Sequence, residues 1–181
     1  MRVPEYGDEV QYEMKKLSPD DEESLGDFNC GNNEIDDYLK NRRKREEAFG
    51  AVTYIYKERR TEKVIAFASI SCSGIRYEYQ NVIQTIPAIE VRYFAVLNEL
   101  HKMVFDKTDK HFYLSDKLFC DLIGKCREIS VNHIGADYMI LYAVPDAVRF
   151  YKRNAFKDYI EYMASDKNRY LEGCTPMYAD L

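Results

Sequence analysis

The chain has 181 residues, and its 26 Lys and Arg against 31 Asp and Glu give a formal net charge of −5. This length is typical of one domain with a sizeable core. A hydrophobic content of 46%, with eight Gly and five Pro, excludes long disordered or collagen-like chains, and the acidic balance argues against a uniformly basic nucleic-acid binder. No apolar run approaches the roughly 20 residues that span a bilayer, and the polar, acidic start is unlike a signal peptide. The sequence therefore predicts a cytoplasmic protein without a membrane segment.

The cysteines and histidines do not form a metal-binding or disulfide pattern. The five cysteines are odd in number and scattered, and the three histidines lack HExxH-type spacing. We therefore predict reduced cysteines packed as small apolar residues, and no metal site.

The first third of the chain predicts a strand, a helix and a hairpin. Residues Glu9–Leu17 alternate loosely and predict a strand, and Ser18–Glu23 predict a turn with solvated acids. Asn33 is the expected cap of a helix with acids in its first turn and the basic end Lys40–Arg45. The β-branched and aromatic runs Ala51–Lys57 and Lys63–Cys72 predict a hairpin.

The remaining elements alternate between strands and helices. Residues 74–88 and 98–114 are predicted loops, and between them the apolar run Ile89–Leu97 predicts a central strand. Ser115 is the expected cap of a long amphipathic helix, which the buried strand Tyr138–Val144 follows. The last predicted elements are a short helix from Pro145 to Asn154 and the strands Tyr159–Met163 and Thr175–Tyr178.

This order predicts one α/β (α+β) domain over residues 1–181. The expected architecture is a mixed central β-sheet of about six to seven strands flanked by helices on both faces. The strand–helix–strand segment 89–144 should be right-handed and parallel, and ligands collect where such strands end.

Three local motifs resemble the GNAT N-acetyltransferase superfamily. The segment Ala147–Phe156 (AVRFYKRNAF) is similar to the A-x-x-F-Y-x-R-x-G-F helix of that family. Glu90–Val96 (EVRYFAV) is similar to its fourth strand, and Phe28–Asn32 (FNCGN) to a segment of the branch that includes toxins acting on aminoacyl-tRNA. The resemblance covers nearly the whole chain. It implies an N-acetyltransferase that uses acetyl-CoA as co-substrate and transfers the acetyl group to a primary amine by direct attack.

The resemblance also implies roles for individual residues. Tyr151 matches the phenol that protonates the leaving thiolate, and Glu90 matches a strand position that supplies the general base in some members. Many members use ordered water instead of that carboxylate, so both alternatives stay open. The backbone of Phe94, Ala95 and Val96 should contact the acyl and pantetheine groups.

The sequence departs from the family at the diphosphate-binding loop. Where the family has R/Q-x-x-G-x-G/A, this chain has Lys110–Ser115 (KHFYLS), with Tyr113 and Ser115 at the glycine positions. Either the amides around Tyr113, Leu114, Ser115 and Asp116 still bind the diphosphate, or the acetyl-CoA site is weakened or lost. Asp116 would repel a diphosphate. Ala155 replaces the glycine of the G-F pair, which suggests that this turn tolerates a Cβ.

The acceptor and partners are less determined. One cluster of cations suits tRNA phosphates, and its members are Lys40, Arg42, Arg43, Lys44, Arg45, Arg59 and Arg60. The favoured interpretation of this cluster is a solvated helix end that acids neutralise. The leading prediction is a bacterial enzyme with a small-molecule or peptide amine as acceptor. The alternatives are a GNAT-fold binding or regulatory module without catalysis, and a toxin that acetylates aminoacyl-tRNA. The sequence identifies neither the acceptor nor an antitoxin partner, and no feature establishes a homodimer.

Overall fold

A computed structural model describes residues 4–161, 163–164 and 173–181. The chain divides into two compact units. The first unit contains Met1–Ser69 and Tyr93–Asp121, and the second unit contains Ile70–Arg92 and Leu122–Leu181. Two strands and one helix have residues in both units, and the assignment of residues 1–181 to a single domain stays a prediction.

The described strands form a mixed sheet. Seven of them follow the order β1-β2-β3-β4-β5-β8-β6, and β7 pairs with β3. Their bounds are β1 Tyr12–Lys16, β2 Val52–Glu58, β3 Val64–Tyr79, β4 Val82–Val96, β5 Tyr138–Ala143, β6 Lys157–Asp158, β7 Met163–Ala164 and β8 Thr175–Asp180. The predicted mixed α/β architecture is confirmed.

Four α-helices accompany the sheet. They are α1 Asn33–Asp37, α2 Arg43–Glu47, α3 Leu114–Ile129 and α4 Val148–Arg153. A π-helical turn, Tyr38–Arg42, joins α1 to α2, and a second, Ser130–Ile134, extends α3 until Gly135 ends it in the left-handed conformation. Short 3₁₀ turns lie at Gly7–Glu9, Pro19–Leu25, Asn98–Leu100 and Pro145–Ala147. None of the described helices combines the length and apolarity needed to cross a bilayer.

Each unit has its own apolar cluster. In the first unit, Phe28 packs edge-on against Phe67 with ring centroids 5.4 Å apart, and Tyr38 stacks on Tyr93 at 3.7 Å. In the second unit a smaller cluster of Ile75, Ala88, Ile140 and Met163 is bordered by four half-buried tyrosines: Tyr77, Tyr138, Tyr159 and Tyr178.

Strands β4 and β5 form the parallel pair of the sheet. Their ladder joins Ala88–Val91 to Tyr138–Leu141, and Glu90 is the partner of Ile140. Strand β4 then continues for five more residues to Val96. The last part of β4 therefore lies beyond its ladder with β5.

The prediction of an irregular loop over residues 74–88 is wrong. These residues are the outer arms of β3 and β4, which meet at a two-residue turn. Gln80 and Asn81 both have positive φ, 48° and 63°, as a type I′ hairpin turn requires. In the β3 arm the run Ile75–Tyr79 (IRYEY) alternates apolar and polar residues as a half-buried strand does, whereas Val82–Thr85 of the β4 arm are exposed and do not alternate.

Two predicted helix starts are displaced and one predicted turn is helical. Asn32, rather than Asn33, caps α1, because its side chain accepts hydrogen bonds from the amides of Glu34 and Ile35. Helix α3 begins at Leu114, so Ser115 lies inside its first turn. The acidic segment 18–23 is not a solvated turn, because it forms a 3₁₀ helix in which Asp21 is 1% exposed.

The end of the chain agrees with the prediction in part. The predicted strand Thr175–Tyr178 is confirmed and extends to Asp180. In place of the predicted strand Tyr159–Met163 there are two short strands: β6 ends just before Tyr159, and β7 begins at Met163. Residue Tyr162 lies outside the described residues.

Candidate active site

Tyr151 is a buried residue of α4 in the second unit. Its side chain is 9% exposed and packs against Phe150 and Phe156, with ring centroids 5.2 and 5.9 Å away. Burial raises the pKa of the Tyr151 hydroxyl. The phenol is therefore protonated at neutral pH, and it can act as a hydrogen-bond donor.

The turn after α4 fixes the position of Tyr151. The amides of Asn154 and Phe156 both donate to the Tyr151 carbonyl, at 3.0 Å each. Ala155 has φ +68°, a left-handed conformation that glycine adopts at no steric cost. Alanine therefore occupies a glycine-type conformation, as its place in the G-F pair of the motif suggested.

Glu90 lies beside two tyrosines that the motifs did not single out. Glu90 is half-buried on β4, and its ladder partner Ile140 pairs in turn with Tyr178 of β8. Directly paired residues project to the same face of a sheet, and so does Tyr142, two residues beyond Ile140. A hydrogen bond joins the hydroxyls of Tyr159 and Tyr142.

The pKa of Tyr159 depends on its burial and on two neighbours, Tyr142 and Glu90. Burial is the main cause that raises the pKa of Tyr159, followed by the charges of Tyr142 and Glu90 and by the hydrogen bond to Tyr142. A deprotonated Tyr159 would add a second negative charge beside Glu90. The Glu90 group, defined here as Glu90, Tyr142 and Tyr159, thus brings one carboxyl group near two tyrosine hydroxyls.

An aromatic surface continues from this group across the second unit. The ring of Tyr178 meets those of Tyr138 and Tyr159 edge to face, with centroids 5.6 and 6.3 Å apart. The Lys157 ammonium lies 5.9 Å from the Tyr178 ring centroid. All three tyrosines are half-buried, so the surface is accessible to solvent.

The predicted pantetheine contacts belong to the first unit. Ala95 and Val96 are buried, and the half-buried Phe94 ring packs against Phe119 of α3 at 4.9 Å. The Nε2–H of His101 donates to the Val96 carbonyl at 2.8 Å. Beyond β4, the Leu97 amide donates to Ile65 of β3.

The start of α3 is occupied by the protein's own acceptors. The Tyr113 amide donates to Asp116 Oδ2 at 2.9 Å, and the Leu114 amide donates to the Met103 carbonyl at 2.8 Å. Ser115 is half-buried in the first turn, and Asp116 is 1% exposed. Two amides that were expected to face a diphosphate are therefore engaged within the chain.

The cluster of cations around α2 is largely paired with acids. Arg43 is 3% exposed and binds Glu22, Glu47 and the Leu39 carbonyl. Arg42 pairs with Asp37 at 2.9 Å. This agrees with the favoured interpretation of a helix end neutralised by acids. Lys40, Arg45 and Arg59 are exposed.

A cavity of about 200 Å³ in the first unit does not coincide with any predicted site residue. It is lined by apolar side chains and a charged rim: Pro4, Val10, Ile65, Leu97, Leu100 and Met103, with Glu58, Arg60, Lys63 and Glu99. Lys63 and Glu99 are paired at 2.8 Å, so the rim offers little net charge to a ligand.

No sequence motif singled out Tyr142 or Tyr159. Tyr142 lies at an alternate position of the run YMILYAV, where it was interpreted as a core residue. Tyr159 stood in a predicted strand, and only the β6–β8 pairing places it beside β5. The sequence offered one signal: Tyr142 lies two residues after Ile140 in a strand, so the two side chains project to the same face of the sheet.

Comparison with protein-family models gives no match, and comparison with curated protein sequences gives none either. Solved structures do match. A tyrosine-to-phenylalanine mutant of the AtaT toxin is 14% identical with a TM-score of 0.71, covering 99% of this chain and 94% of the toxin. AtaTR bound with AcCoA is 16% identical with a TM-score of 0.66, covering 94% and 93%.

A third structure, AtaT complexed with acetyl-methionyl-tRNAfMet, is 15% identical with a TM-score of 0.65 and covers 92% of this chain and 94% of that chain. Identities this low establish the fold alone. The predicted resemblance to the GNAT fold is confirmed, and the structures that share it include bacterial toxins.

Proposed function

We propose that this chain is an N-acetyltransferase that takes its acetyl group from acetyl-CoA and transfers it to an amine. The observation that carries the proposal is the likeness of fold, over nearly the whole chain, to the AtaTR structure with bound AcCoA. This is a fold-level analogy, so the residues of each unit must supply the chemistry.

In the second unit we assign the proton transfers to Tyr151 and Glu90. When bound, acetyl-CoA supplies an acetyl group activated as a thioester. An ammonium group must lose a proton before it can attack, and the half-buried Glu90 carboxylate accepts that proton directly or through water. The Tyr151 hydroxyl, which its raised pKa keeps protonated, gives its proton to the departing thiolate and regains one from the attacking nitrogen, which loses its second proton as the C–S bond breaks. Tyr142 and Tyr159 place their hydroxyls near Glu90.

In the first unit we assign co-substrate binding to the end of β4 and the start of α3. The backbone of Phe94, Ala95 and Val96 fits an extended pantetheine arm, since β4 runs five residues past its ladder with β5. The diphosphate is assigned to the first turn of α3 around Tyr113, Leu114, Ser115 and Asp116, where the helix dipole favours anions. This part fits less well, because the Tyr113 and Leu114 amides are engaged.

A second candidate is a toxin-type acetyltransferase of aminoacyl-tRNA. The observation that favours it is the likeness to AtaT complexed with acetyl-methionyl-tRNAfMet. The exposed cations Lys40, Arg45 and Arg59 could contact tRNA phosphates. A small-molecule or peptide amine remains the leading acceptor. The remaining alternative is a GNAT-fold binding module that does not catalyse.

A transfer assay separates these functions. The protein is incubated with radiolabelled acetyl-CoA and, in turn, small primary amines, peptides with a free N-terminus and aminoacyl-tRNA. Release of the CoA thiol and label in the acceptor are both measured. Acceptor-dependent thiol release supports the enzyme, and the labelled class identifies the acceptor. Thiol release no higher than in the same mixture without the acceptor, for every class, would contradict it, and saturable acetyl-CoA binding without transfer would indicate the binding module.

A further inference from the structure

Asp116 is a buried acid at the positive end of a long helix. It lies in the first turn of the 16-residue helix α3, and its side chain is 1% exposed. Its Oδ2 accepts the Tyr113 amide at 2.9 Å, one of the amides that the first turn of a helix leaves without an intrahelical partner. The carboxylate thus provides the contacts and the negative charge that a bound phosphate would provide.

The preceding segment, residues 98–113, fixes this arrangement. The Leu114 amide donates to the Met103 carbonyl at 2.8 Å, and Val104 forms a β-bridge with Tyr113. The Phe105 amide donates to the Phe112 carbonyl at 2.8 Å, and the two rings pack edge to face at 5.6 Å. From the N-terminal region, the Gly7 amide donates to the Val104 carbonyl at 2.9 Å. The segment therefore holds Tyr113 where its amide meets Asp116.

We infer that Asp116 is an internal competitor for the diphosphate of acetyl-CoA. The inference rests on the proposed function and concerns what sets the affinity of that site. A diphosphate that takes the Tyr113 amide must displace the Asp116 carboxylate or bind beside it, and two like charges a few ångströms apart repel each other. Asp116 therefore stabilises the helix and weakens co-substrate binding at the same position.

The test removes the charge and keeps the acceptor. Asp116→Asn retains a side-chain oxygen for the Tyr113 amide. The matched control is Asp109→Asn, since Asp109 is an exposed acid of the same segment whose side chain also accepts a backbone amide, that of His111. Both variants and the natural protein are titrated by calorimetry with CoA and with S-acetylpantetheine, which lacks the diphosphate.

We expect Asp116→Asn to bind CoA roughly tenfold more tightly than the natural protein, because one like charge at the helix end is removed. Asp109→Asn should change this affinity by less than about twofold, since the charge it removes is exposed and screened. The affinity for S-acetylpantetheine should be the same in all three proteins. An equal CoA affinity in Asp116→Asn and the natural protein would overturn the inference, and so would an equal gain in Asp109→Asn.

A measurement on the natural protein does not depend on how the variant folds. In NMR titrations the Tyr113 amide resonance should shift with CoA and stay unchanged with S-acetylpantetheine. A Tyr113 amide that does not respond to CoA, while CoA binds, would overturn the inference. If neither ligand binds any of the three proteins, the proposed function itself fails, which is a different result from bound CoA with an unaffected Asp116.

Discussion

Three buried acids of the first unit and the half-buried Glu90 of the second unit have different surroundings. In the first unit Asp21, Asp36 and Asp116 are all at least nine-tenths buried, and each accepts a backbone amide within six residues of itself in the chain. In the second unit Glu90 is half-buried beside the hydroxyl pair of Tyr142 and Tyr159. The buried acids of the first unit thus fix the local backbone, whereas Glu90 in the second unit lies near side-chain hydroxyls.

This comparison predicts two kinds of variant. Changes to Tyr151 or Glu90 of the second unit should alter turnover while stability is retained. Changes to the buried acids of the first unit should alter the free energy of unfolding or, for Asp116, the affinity for CoA.

The largest effect is expected for Tyr151→Phe. The substitution keeps the ring contacts with Phe150 and Phe156 and removes only the hydroxyl. Turnover should fall by roughly one to three orders of magnitude, the range for losing a positioned proton donor, with near-native melting temperature and CoA affinity. Tyr138→Phe, in the same unit, is the matched control and should keep its turnover. Wild-type turnover in Tyr151→Phe would make this residue a core aromatic only.

Glu90→Gln should reduce turnover by roughly 10²-fold and flatten the acidic limb of the pH–rate profile, because the amide cannot accept the proton of the acceptor amine. The control is Glu78→Gln, an exposed acid of β3. If the pH–rate profile of Glu90→Gln matches that of the natural protein, the base is water or the acceptor itself.

Asp21→Asn should lower stability and leave turnover unchanged. The Asp21 carboxylate binds Lys15 at 2.8 Å and Lys57 at 3.3 Å, and it accepts the Ser18 hydroxyl at 2.7 Å. Its loss leaves the Lys15 ammonium without this carboxylate, whereas Lys57 keeps Glu62 at 2.9 Å, and the expected cost is about 2 kcal/mol in the free energy of unfolding. Urea denaturation of Asp21→Asn and of the exposed neighbour Asp20→Asn measures the difference. Equal unfolding midpoints would contradict the role given to Asp21.

The same carboxylate should make stability depend on acid pH. Burial alone raises the pKa of Asp21, but hydrogen bonds from Lys15, Ser18 and Lys57 outweigh it and lower the pKa from 3.8 to about 2. Because the folded-state pKa is the lower one, the stabilisation is fully present above the unfolded-state value and is lost as the pH falls through about 2. The stability difference between the natural protein and Asp21→Asn should shrink over that interval. A constant difference would assign the effect to packing.

The elements of the fold could be predicted from the sequence where the apolar pattern is long. Among the candidate site residues, Tyr151 could be singled out because its motif is short and continuous in the chain. Strand Tyr138–Ala143 and the body of α3 follow their apolar pattern, and Tyr151 follows its motif. The outer arms of β3 and β4 were missed because the Gln80–Asn81 turn lacks glycine and the exposed start of β4 shows no alternation, although the run Ile75–Tyr79 of β3 alternates. The cap at Asp116 was equally hidden, since an acid in a first turn is ordinary and its burial depends on the 98–113 segment. Tyr159 joins Glu90 only through the pairing of β8 with β5 and β6.

The most direct measurement of the central claim is a calorimetric titration of the natural, full-length chain with acetyl-CoA. The account predicts saturable binding with one co-substrate per chain, and an accompanying rise in the melting temperature, since a ligand that binds only the folded state stabilises it. The absence of both binding heat and thermal stabilisation at millimolar acetyl-CoA would contradict it.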